Sequence, residues 1–502
     1  MIKKILIANR GEIAVRVIRA AREMGIRTVA VYSDADAEAL HTSLADEAVP
    51  LGAPEPSLSY LDIGKIIAAA KATGADAIHP GYGFLSERAE FSEACRDAGI
   101  TFIGPPPEAM RKLGAKIDAK QIAVAAGVPV TSGFFESGAT DAQLKDAAIK
   151  IGFPVMLKAS AGGGGRGMRI VRDIADFDSE LKLASDEALK AFGDGEMMVE
   201  KLIERPRHIE VQVLADQHGN VACLFERECS IQRRHQKLIE EAPSPSAFAR
   251  LGIWTAMREA CRKLILEAGY VGAGTVEFMF DEADALFYFL EVNARLQVEH
   301  PVTEAITGLD LVEWQIRIAQ GEKLEVNPRI QDGDRDAING HAMEVRVIAE
   351  DPAKGFLPSI GRILGWAEPT GPGVRIDTGY GPGSEVSRYY DSMIAKVIVH
   401  AETRERAIAR MISALEAFHV LGVKTNIAYI LEVLANPRFV DGEFDTGFLG
   451  REMSDWRPST ELPGELQAIV DFAQPLGKRP TANPSSEGAW DAKDTFRVYS
   501  GK

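Results

Sequence analysis

Polar and apolar residues alternate strictly over residues 291–299, which read Glu-Val-Asn-Ala-Arg-Leu-Gln-Val-Glu. Successive side chains of a β-strand point to opposite faces, so the pattern predicts one extended strand over all nine positions. We expect the five polar side chains to share one face and to line a cleft. The residues expected to fill the core on the other face are Val292, Ala294, Leu296 and Val298. A half-solvated strand with a purely structural role is the alternative interpretation.

The start of the chain predicts a βαβ unit. An apolar run at residues 4–8 is followed by a stretch with helical periodicity and by a second apolar run at residues 28–32. A parallel sheet therefore begins here. The turn after the first run contains one glycine, Gly11, and so lacks the GxGxxG pattern of a dinucleotide site. A further strand, loop and helix follow at residues 77–87, with the loop at the sheet edge that usually holds ligands.

Four segments follow from the spacing of these patterns. Three consecutive prolines at residues 105–107 end the first region, and we place a boundary near residue 112. Helices and hairpins alternate up to about residue 335. Short strands with intervening Gly and Pro then precede a helix around residues 403–418, and the Pro-, Ser- and Gly-rich tail is typical of a linker. The predicted segments are 1–112, 113–335, 336–447 and 448–502.

A glycine-rich segment at residues 162–167 formally contains GxGxxG. A Rossmann loop must open a helix, but here both flanks, residues 154–157 and 168–171, have strand character. The glycines are therefore predicted to form the tip of a hairpin, whose backbone N–H groups can approach phosphate oxygens. Lys158, just before the tip, would add a positive charge. The alternative is a surface loop, and a P-loop is excluded because the Gly-Lys-Ser/Thr ending is missing.

A second hairpin is predicted to bring two acids together. Residues 274–280 form a strand pattern, and an acidic turn at residues 281–284 folds this strand onto the alternating segment. Glu277 would then lie beside Glu291. Two carboxylates and the Asn293 amide, completed by substrate phosphates, form a ligand set that suits Mg²⁺. Salt bridges of structural importance are the alternative role for these acids.

Composition narrows the functional classes. The 502 residues predict roughly three domains, and 46% hydrophobic and 26% charged residues are ordinary for a globular protein. A net charge of −16 argues against a nucleic-acid partner. Four scattered cysteines predict neither disulfides nor a zinc site. The chain contains no apolar run of about 18 residues and no signal-peptide core, so we expect no membrane association and a cytoplasmic location.

Six segments carry a family resemblance: IANRGEIAVRVIRAA, HPGYGFLSE, KASAGGGGRGMR, ECSIQRRHQKLIEEAP, EVNARLQVEHPVTE and YYDSMIAKVI. From Met1 to about Phe448 the chain resembles the biotin carboxylases, the ATP-grasp component of biotin-dependent carboxylases. The expected fold class is therefore α/β and α+β. The resemblance implies a Rossmann-like N-terminal domain with a parallel sheet, a central ATP-grasp domain with a Gly-rich lid at about 131–204, and a C-terminal mixed β domain.

The resemblance also implies a reaction. Biotin carboxylases use ATP to convert bicarbonate to carboxyphosphate and then carboxylate N1′ of biotin. The implied cofactors are ATP and Mg²⁺ or Mn²⁺, as two ions, with biotin as a carrier-bound substrate. The implied partners are a biotin carboxyl carrier protein or biotinyl domain, a carboxyltransferase and, as a homodimer, a second copy.

The pathway stays open at this point. We expect the first half-reaction of an acyl-CoA carboxylase, such as the acetyl-CoA carboxylase of fatty acid biosynthesis. The alternatives are the same half-reaction in a pyruvate or 2-oxo acid carboxylase, an ATP-grasp ligase with an amine acceptor, and a nucleotide-binding scaffold without activity.

The family roles map onto matching positions. The residues implied in ATP binding are Lys116, Lys158, Gly163, Gly164, Gly165, Glu200, Lys201, Leu202, His208, Gln232, His235, Glu277 and Glu291. Those implied in metal binding are Glu277, Glu291 and Asn293, and those in bicarbonate binding are Lys237, Arg295, Gln297 and Val298. Tyr82 and Arg346 are implied at the biotin site. The implied catalytic set is Glu299, as the base that deprotonates bicarbonate, with Arg295, Arg346 and Lys237.

These residue types suit the chemistry. Bicarbonate is a weak nucleophile, so its activation requires a carboxylate base and a guanidinium that holds the anion. A second guanidinium beside the ureido oxygen of biotin would stabilise the negative charge that develops when N1′ loses its proton. Arg346 lies in a second alternating segment, residues 342–347, although an ordinary surface arginine is the alternative. The segment at residues 230–237 is, by its composition, typical of a solvated face and becomes a candidate for anion binding only beside the glycine loop.

Two questions concern biotin attachment and the C-terminal end of this sequence. Carboxylases that carry their own biotin attach it to the lysine of a Met-Lys dipeptide, and this sequence contains none. We therefore expect biotin to arrive on another polypeptide, or this chain to be part of a longer one. Residues 449–502 vaguely resemble the start of the linking region of acyl-CoA carboxylase α chains.

Overall fold

A computed structural model describes residues 1–161, 167–234, 236–245 and 251–458. Residues 1–456 form one compact unit. Within these described residues, three main sheets and their covering helices position the candidate site.

The N-terminal sheet is parallel throughout, in the order β3-β2-β1-β4-β5. Its region comprises β1 (Lys4–Ile7), α1 (Gly11–Glu23), β2 (Arg27–Ser33), α2 (Leu40–Leu44), β3 (Glu47–Gly52), α3 (Ile63–Thr73), β4 (Ala77–His79), α4 (Ala89–Asp97), β5 (Thr101–Phe102) and α5 (Pro107–Gly114). Ile5, Leu6 and Ile7 are all completely buried, because helices cover both faces of a parallel sheet. The predicted βαβ unit and parallel sheet are confirmed.

A small antiparallel sheet follows, in the order β6-β9-β7-β8. Its region comprises α6 (Lys116–Ala125), β6 (Gly133–Phe134), α7 (Asp141–Ile151), β7 (Val155–Ala159), β8 (Met168–Val171), α8 (Phe177–Phe192) and β9 (Met197–Lys201). The predicted hairpin that flanks the glycine run is confirmed, since Lys158 of β7 pairs with Met168 of β8. The run itself, residues 162–166, lies outside the described residues.

An antiparallel sheet of eight strands forms the centre of the molecule, in the order β14-β13-β10-β11-β12-β15-β22-β20. The elements from β10 to β15 are β10 (Arg207–Ala215), β11 (Val221–Arg233), β12 (Gln236–Ala242), α9 (Leu251–Ala268), β13 (Gly272–Asp281), β14 (Leu286–Asn293), α10 (His300–Thr307), α11 (Leu311–Ala319), α12 (Pro328–Gln331) and β15 (His341–Ile348). Because β12 pairs with β15, this sheet continues across the predicted boundary at residues 335/336. That boundary stays a prediction.

Short strands and helices complete the C-terminal region. They are β16 (Glu350–Asp351), β17 (Leu357–Pro358), β18 (Gly361–Arg362), β19 (Gly365–Ala367), β20 (Val374–Thr378), β21 (Glu385–Val386), β22 (Met393–Ala401), α13 (Arg404–Glu416), β23 (His419–Leu421), α14 (Ile427–Ala435), α15 (Pro437–Val440) and α16 (Phe448–Glu452). The helix predicted around residues 403–418 is α13. Within the described part of the chain, every helix is too short or too polar to cross a bilayer.

The two faces of the eight-stranded sheet differ. On β10, the apolar residues Ile209, Val211 and Val213 join the hydrophobic core. The alternate residues His208, Glu210 and Gln212 are also buried, but on the opposite face. Helix α10 lies over that face, where Thr303 Oγ1 accepts a hydrogen bond from Arg227 at 3.0 Å. This part of the polar face is therefore covered by α10 rather than solvated.

The predicted nine-residue strand is wrong beyond Asn293. Strand β14 ends there, and the chain turns into helix α10 at His300. The N–H of Ala294 donates to the Glu87 carboxylate at 3.0 Å instead of to a neighbouring strand. Pro301 lies in the first turn of α10, a position that proline favours. Residues 294–299 thus form a connecting loop.

Candidate functional site

A cavity of about 970 Å³ opens at the polar face of the eight-stranded sheet, within the size range of small-molecule sites. Its walls combine β10 to β14, the loop at 294–299 and the end of α5. The predicted site residues that line it are Lys116, Lys158, His208, Gln232, Lys237, Glu277, Glu291, Asn293, Arg295, Gln297, Val298, Glu299 and Arg346. Residues separated by more than 200 positions in sequence therefore meet around one space.

Glu299 lies at the point where two cations converge. Its Oε1 accepts from Lys237 Nζ at 2.7 Å, and its Oε2 accepts from Arg346 Nη2 at 3.0 Å. The side chain is 2% exposed. Burial by itself would raise the pKa of this carboxyl, but the charges of Lys237 and Arg346 outweigh burial and hold the pKa well below its usual range. Glu299 is therefore an ionised, proton-accepting group at neutral pH.

Lys237 connects three carboxylates. Its Nζ lies 2.5 Å from Glu210 Oε2, 3.0 Å from Glu277 Oε1 and 2.7 Å from Glu299 Oε1. Burial opposes the charge, but these three acids raise the pKa of Lys237 well above its ordinary value. The strand β12 therefore carries a fixed positive charge at the centre of an acidic cluster.

Glu277 and Glu291 face each other across the β13–β14 hairpin, as predicted. They are partners in the strand register. Glu277 accepts from His208 at 2.9 Å, from Asn293 at 2.8 Å and from Gln297 at 2.8 Å. Burial would lower the pKa of His208, but Glu277 raises it. The two predicted carboxylates are thus paired in the strand register, and Glu277 accepts hydrogen bonds from three side chains.

Arg346 rises from β15 toward the cavity, as its alternating segment predicted. Its Nε donates to Glu240 Oε1 at 2.6 Å, on the neighbouring strand β12. Burial raises the pKa of Glu240 to about 7, against the charge of Arg346. Glu344, two residues before Arg346, is fully buried, and burial raises its pKa well above the usual range. The guanidinium therefore contacts two acidic side chains, Glu240 and Glu299.

Arg295 is held by the N-terminal region. Its Nε donates to Glu87 Oε2 at 2.9 Å, and its Nη2 donates to Asn293 Oδ1 at 3.0 Å. Glu87 belongs to the HPGYGFLSE segment that follows β4. This contact explains how the loop after a parallel strand reaches a site built mainly on another sheet.

The remaining lysines of the site pair with acids. Lys116 Nζ lies 3.4 Å from Glu291 Oε2. Lys158 contacts Glu200, which also accepts from Lys120 at 2.8 Å. Burial would raise the pKa of Glu200, but Lys120 and Lys158 outweigh it and lower the pKa. Glu200, near the end of β9, is therefore held by two lysines. One of them, Lys158, also lines the cavity.

Some predicted site residues do not contribute to the cavity lining, and their ligand roles stay predictions. Glu200, Lys201 and Leu202 lie at the end of β9 and after it, outside the cavity lining. The Lys201 ammonium donates to the carbonyl oxygen of Gly152 at 2.9 Å. Tyr82 also lies outside the lining, with its hydroxyl hydrogen-bonded to Glu12. His235 and the glycines 163–165 lie outside the described residues, so their roles stay predictions.

Sequence reasoning missed the buried support of the site. Arg227 is fully buried and donates to Glu210 at 2.5 Å and to Gln297 at 2.8 Å. It thereby fixes two residues that contact Lys237 or Glu277. Alternation on β10 carries a usable signal, because Glu210 lies two positions after His208 and on the same face. No local pattern indicates that Arg227 pairs with Gln297 of the 294–299 loop.

The position of Val298 also differs from the prediction. It was expected to fill the core with Val292, Ala294 and Leu296, but it is half-buried and lines the cavity. Because the chain has left the sheet, period-two alternation no longer assigns residues to faces. Its carbonyl oxygen accepts a hydrogen bond from Lys396 at 2.9 Å.

Comparison with known families agrees with this geometry. The family model "Biotin carboxylase, N-terminal domain" matches residues 1–110. The model "Carbamoyl-phosphate synthase L chain, ATP binding domain" matches residues 115–327. The model "Biotin carboxylase C-terminal domain" matches residues 344–451. Together these matches cover the sheets that form the cavity.

Individual proteins are similar over most of the chain. The sequence is 49% identical over 449 residues to Biotin carboxylase 1 of Bacillus subtilis, which covers 89% of this chain and 98% of that protein. It is 48% identical over 459 residues to the mitochondrial methylcrotonoyl-CoA carboxylase subunit alpha of Mus musculus, with 91% of this chain and 63% of that subunit covered. The chain therefore spans less than two thirds of the length of the mouse subunit.

A solved structure shows the same architecture. It is the biotin carboxylase domain dimer of 2-oxoglutarate carboxylase from Hydrogenobacter thermophilus, in complex with MgADP, ADP and bicarbonate. The TM-score is 0.87 at 46% sequence identity, with 91% of this chain and 100% of that chain covered. The family matches, the near-complete relatives and the shared fold lead to one conclusion: this chain belongs to the biotin carboxylase family.

Proposed function

We propose that the protein carboxylates biotin with ATP and bicarbonate, and that the cavity on the polar sheet face is its active site. The observation that carries the proposal is the position of Glu299, an ionised carboxylate held between Lys237 and Arg346. A base flanked by two cations suits the deprotonation of an anion that is itself bound by cations.

The first step requires bicarbonate to act as a nucleophile. Glu299 removes its proton, and Arg295 and Lys237 hold the negative charge. An anion that draws Lys237 and Arg346 toward itself leaves Glu299 less stabilised, so the pKa of Glu299 rises as the substrate binds. A bicarbonate oxygen then forms a bond to the γ-phosphorus of ATP as the bond to ADP breaks, which gives carboxyphosphate.

The second step transfers the carboxyl group to biotin. N1′ of biotin loses its proton to the departing phosphate and forms a bond to the carboxyl carbon, as the bond between that carbon and the phosphate oxygen breaks. Arg346 would donate to the ureido oxygen and stabilise the charge that develops there. The contacts of the guanidinium with oxygen atoms of Glu240 and Glu299 support this role.

The ligand set fits a divalent cation. Glu277, Glu291 and Asn293 all line the cavity and supply the oxygen ligands that Mg²⁺ prefers. When bound, Mg²⁺ or Mn²⁺, as two ions, would neutralise charge on the nucleotide phosphates. Lys116, Lys158, His208 and Gln232 would contact the nucleotide, with Tyr82 near the biotin.

The wider context belongs to the same proposal. Biotin would arrive on a carrier protein or biotinyl domain, and a carboxyltransferase would use the carboxybiotin. We favour the first half-reaction of an acyl-CoA carboxylase, with fatty acid biosynthesis as one context and pyruvate or 2-oxo acid carboxylases as alternatives. The solved structure of the Hydrogenobacter thermophilus biotin carboxylase domain is a dimer, which supports a homodimer here. The relatives include both bacterial proteins and mitochondrial subunits, and we retain the cytoplasm as the expected location.

Release of ADP from the purified chain tests the function. We expect rapid release only when ATP, Mg²⁺, bicarbonate and free biotin are all present, with a large drop when any one of them is omitted. A parallel panel that replaces biotin with small amines tests the ligase alternative. Equal turnover without bicarbonate, or faster turnover with an amine than with biotin, would contradict the proposal.

A further inference from the structure

Lys396 is a buried charge that the proposed mechanism does not use. It lies on β22, is 0% exposed and is the register partner of Arg346 on β15. A buried lysine is costly unless it is paired and hydrogen-bonded. Its Nζ donates to the carbonyl oxygen of Val298 at 2.9 Å. That carbonyl belongs to the peptide bond that leads directly into Glu299.

The same ammonium faces two carboxylates. Glu12 Oε2 lies 3.3 Å from Lys396 Nζ, and Asp377 Oδ2 lies 3.7 Å away. Asp377 is also held by Arg375, through contacts of 2.9 and 2.7 Å. Burial opposes the charge of Lys396, but the surrounding acids raise its pKa, so it stays a cation. The hydrogen bond to Val298 is thus made by a charged donor, which is the stronger kind.

Glu12 extends the contact to the N-terminal region. It lies in the first turn of α1, and its second oxygen, Oε1, accepts from the Tyr82 hydroxyl. Tyr82 lies in the turn after β4, a segment whose position is fixed by Asn9 through bonds to the carbonyl oxygens of Pro80 and Tyr82. A continuous chain of contacts therefore runs from Tyr82 through Glu12 and Lys396 to the peptide bond before Glu299.

The loop at residues 294–299 needs such a contact. It lies outside β14, so sheet hydrogen bonds do not fix its backbone. Lys237 and Arg346 hold the end of the Glu299 side chain, whereas Lys396 holds the main chain on which that side chain is mounted. A displacement of about 1 Å at a reacting group can cost a factor of about 100 in rate.

We propose that Lys396 is a positioning residue for Glu299 and that, through Glu12, it couples the Tyr82 segment to the loop that carries the base. The inference rests on the proposed function, since it assigns Glu299 as the base and Tyr82 to the biotin end of the site. It adds a structural link between the biotin end of the site, at Tyr82, and the bicarbonate end, at Glu299.

Steady-state kinetics of the full chain with free biotin test the first part. We expect Lys396→Met to lower kcat/KM for bicarbonate by about 10- to 100-fold while KM for ATP changes less than twofold. Lys396→Arg should recover part of the loss, because it restores a charged donor. The control is Lys323→Met, at an exposed position, which should leave all parameters unchanged.

Loss of folding is separated from loss of positioning by a charge-balanced variant. Lys396→Met with Glu12→Gln removes one cation and one carboxylate together, and its melting temperature and circular dichroism report whether it folds. A folded double variant that still shows the selective loss in bicarbonate supports the inference. Wild-type kinetics in that variant, or equal losses in the ATP and bicarbonate parameters, would overturn it.

A double-mutant cycle tests the coupling to Tyr82. Tyr82→Phe removes the hydroxyl that donates to Glu12. If the chain of contacts transmits position, the losses in biotin-dependent rate from Tyr82→Phe and Lys396→Met are not additive. Additive losses would refute the coupling. A wild-type protein without bicarbonate- and biotin-dependent ADP release would instead refute the proposed function itself.

Discussion

The N-terminal parallel sheet and the eight-stranded sheet bury their faces by different means. The first is filled with aliphatic side chains such as Ile5, Leu6 and Ile7. The second has one apolar face and one face of buried ions, where Arg227 and Lys237 link the acids of neighbouring strands. One sheet is stabilised by the removal of apolar area from water, and the other depends on every charge having a partner.

This difference indicates where the chemistry lies. Buried ion pairs contribute little net stability, because desolvation offsets most of the attraction between them. Titratable groups with strongly shifted pKa values in a cleft are typical of functional sites. We therefore assign the proposed reaction to the ionic face, which Glu87 of the parallel-sheet region reaches through its contact with Arg295.

The largest expected effect is on activity. Glu299→Gln keeps the size and removes the proton-accepting charge, so turnover should fall by a factor of about 10² to 10⁴, the usual range for a general base. Nucleotide binding, measured by calorimetry, should be nearly unchanged. Glu313→Gln on α11, outside the cavity lining, is the matched control and should retain full turnover. Loss of nucleotide affinity in Glu299→Gln would contradict the role of this residue.

A large effect on stability is expected under the ionic face. Arg227→Met removes the fully buried cation at one oxygen of Glu210, leaving Lys237 at the other oxygen, and should lower the free energy of unfolding by about 3–5 kcal/mol. Arg329→Met removes an exposed pair with Asp334, which water and salt screen, so its effect on stability should be much smaller. Urea denaturation followed by circular dichroism compares the two variants. Equal small losses would show that the ionic face does not depend on its pairing.

The parallel sheet should respond to acid through a buried histidine. Burial lowers the pKa of His79 from 6.5 to about 4. The folded protein therefore binds this proton more weakly than the unfolded chain, and stability is lost as pH falls from about 6.5 toward 4. At about 1.4 kcal/mol for each pKa unit, the full loss is about 3.5 kcal/mol.

His79→Gln isolates this contribution. Glutamine can keep a donor to Gln315 and an acceptor for the N–H of Gly81, and it does not titrate. Denaturation at pH 7 and at pH 4 should show a smaller loss in the variant than in the wild type. The same pH dependence in both proteins would contradict the assignment.

The smallest effect is expected from an apolar truncation in the parallel sheet. Ile7→Val removes one buried methyl group from β1 and should cost about 0.5–1.5 kcal/mol of stability. Turnover at 25 °C should be unchanged, because the residue does not line the cavity. A fall in turnover without a fall in stability would contradict the assignment of a purely structural role to this part of the parallel sheet.

Local pattern predicted the elements that depend on neighbouring residues. The acidic turn before β14 fixed the hairpin register, so the pairing of Glu277 with Glu291 followed from sequence. The strands around the glycine run followed in the same way. Alternation also predicted that Arg346 points away from the core.

Interactions between distant segments were beyond such reasoning. Strand β14 ends at Asn293, and the next N–H, that of Ala294, donates to the carboxylate of Glu87. Glu87 lies 207 residues earlier in the sequence. The partners of Arg227 come from two strands, one helix and a loop, and sequence spacing gives no indication of that convergence. The role of Lys396 likewise appears only when β22, α1 and the 294–299 loop are brought together.

The fate of a bicarbonate oxygen tests the central claim most directly. With ¹⁸O-labelled bicarbonate, ATP and biotin, the attack on the γ-phosphorus leaves one bicarbonate oxygen on the phosphate when the carboxyl group moves to biotin. Mass spectrometry of the released phosphate should therefore find one ¹⁸O atom in each phosphate formed. Phosphate that carries oxygen only from water would contradict the account.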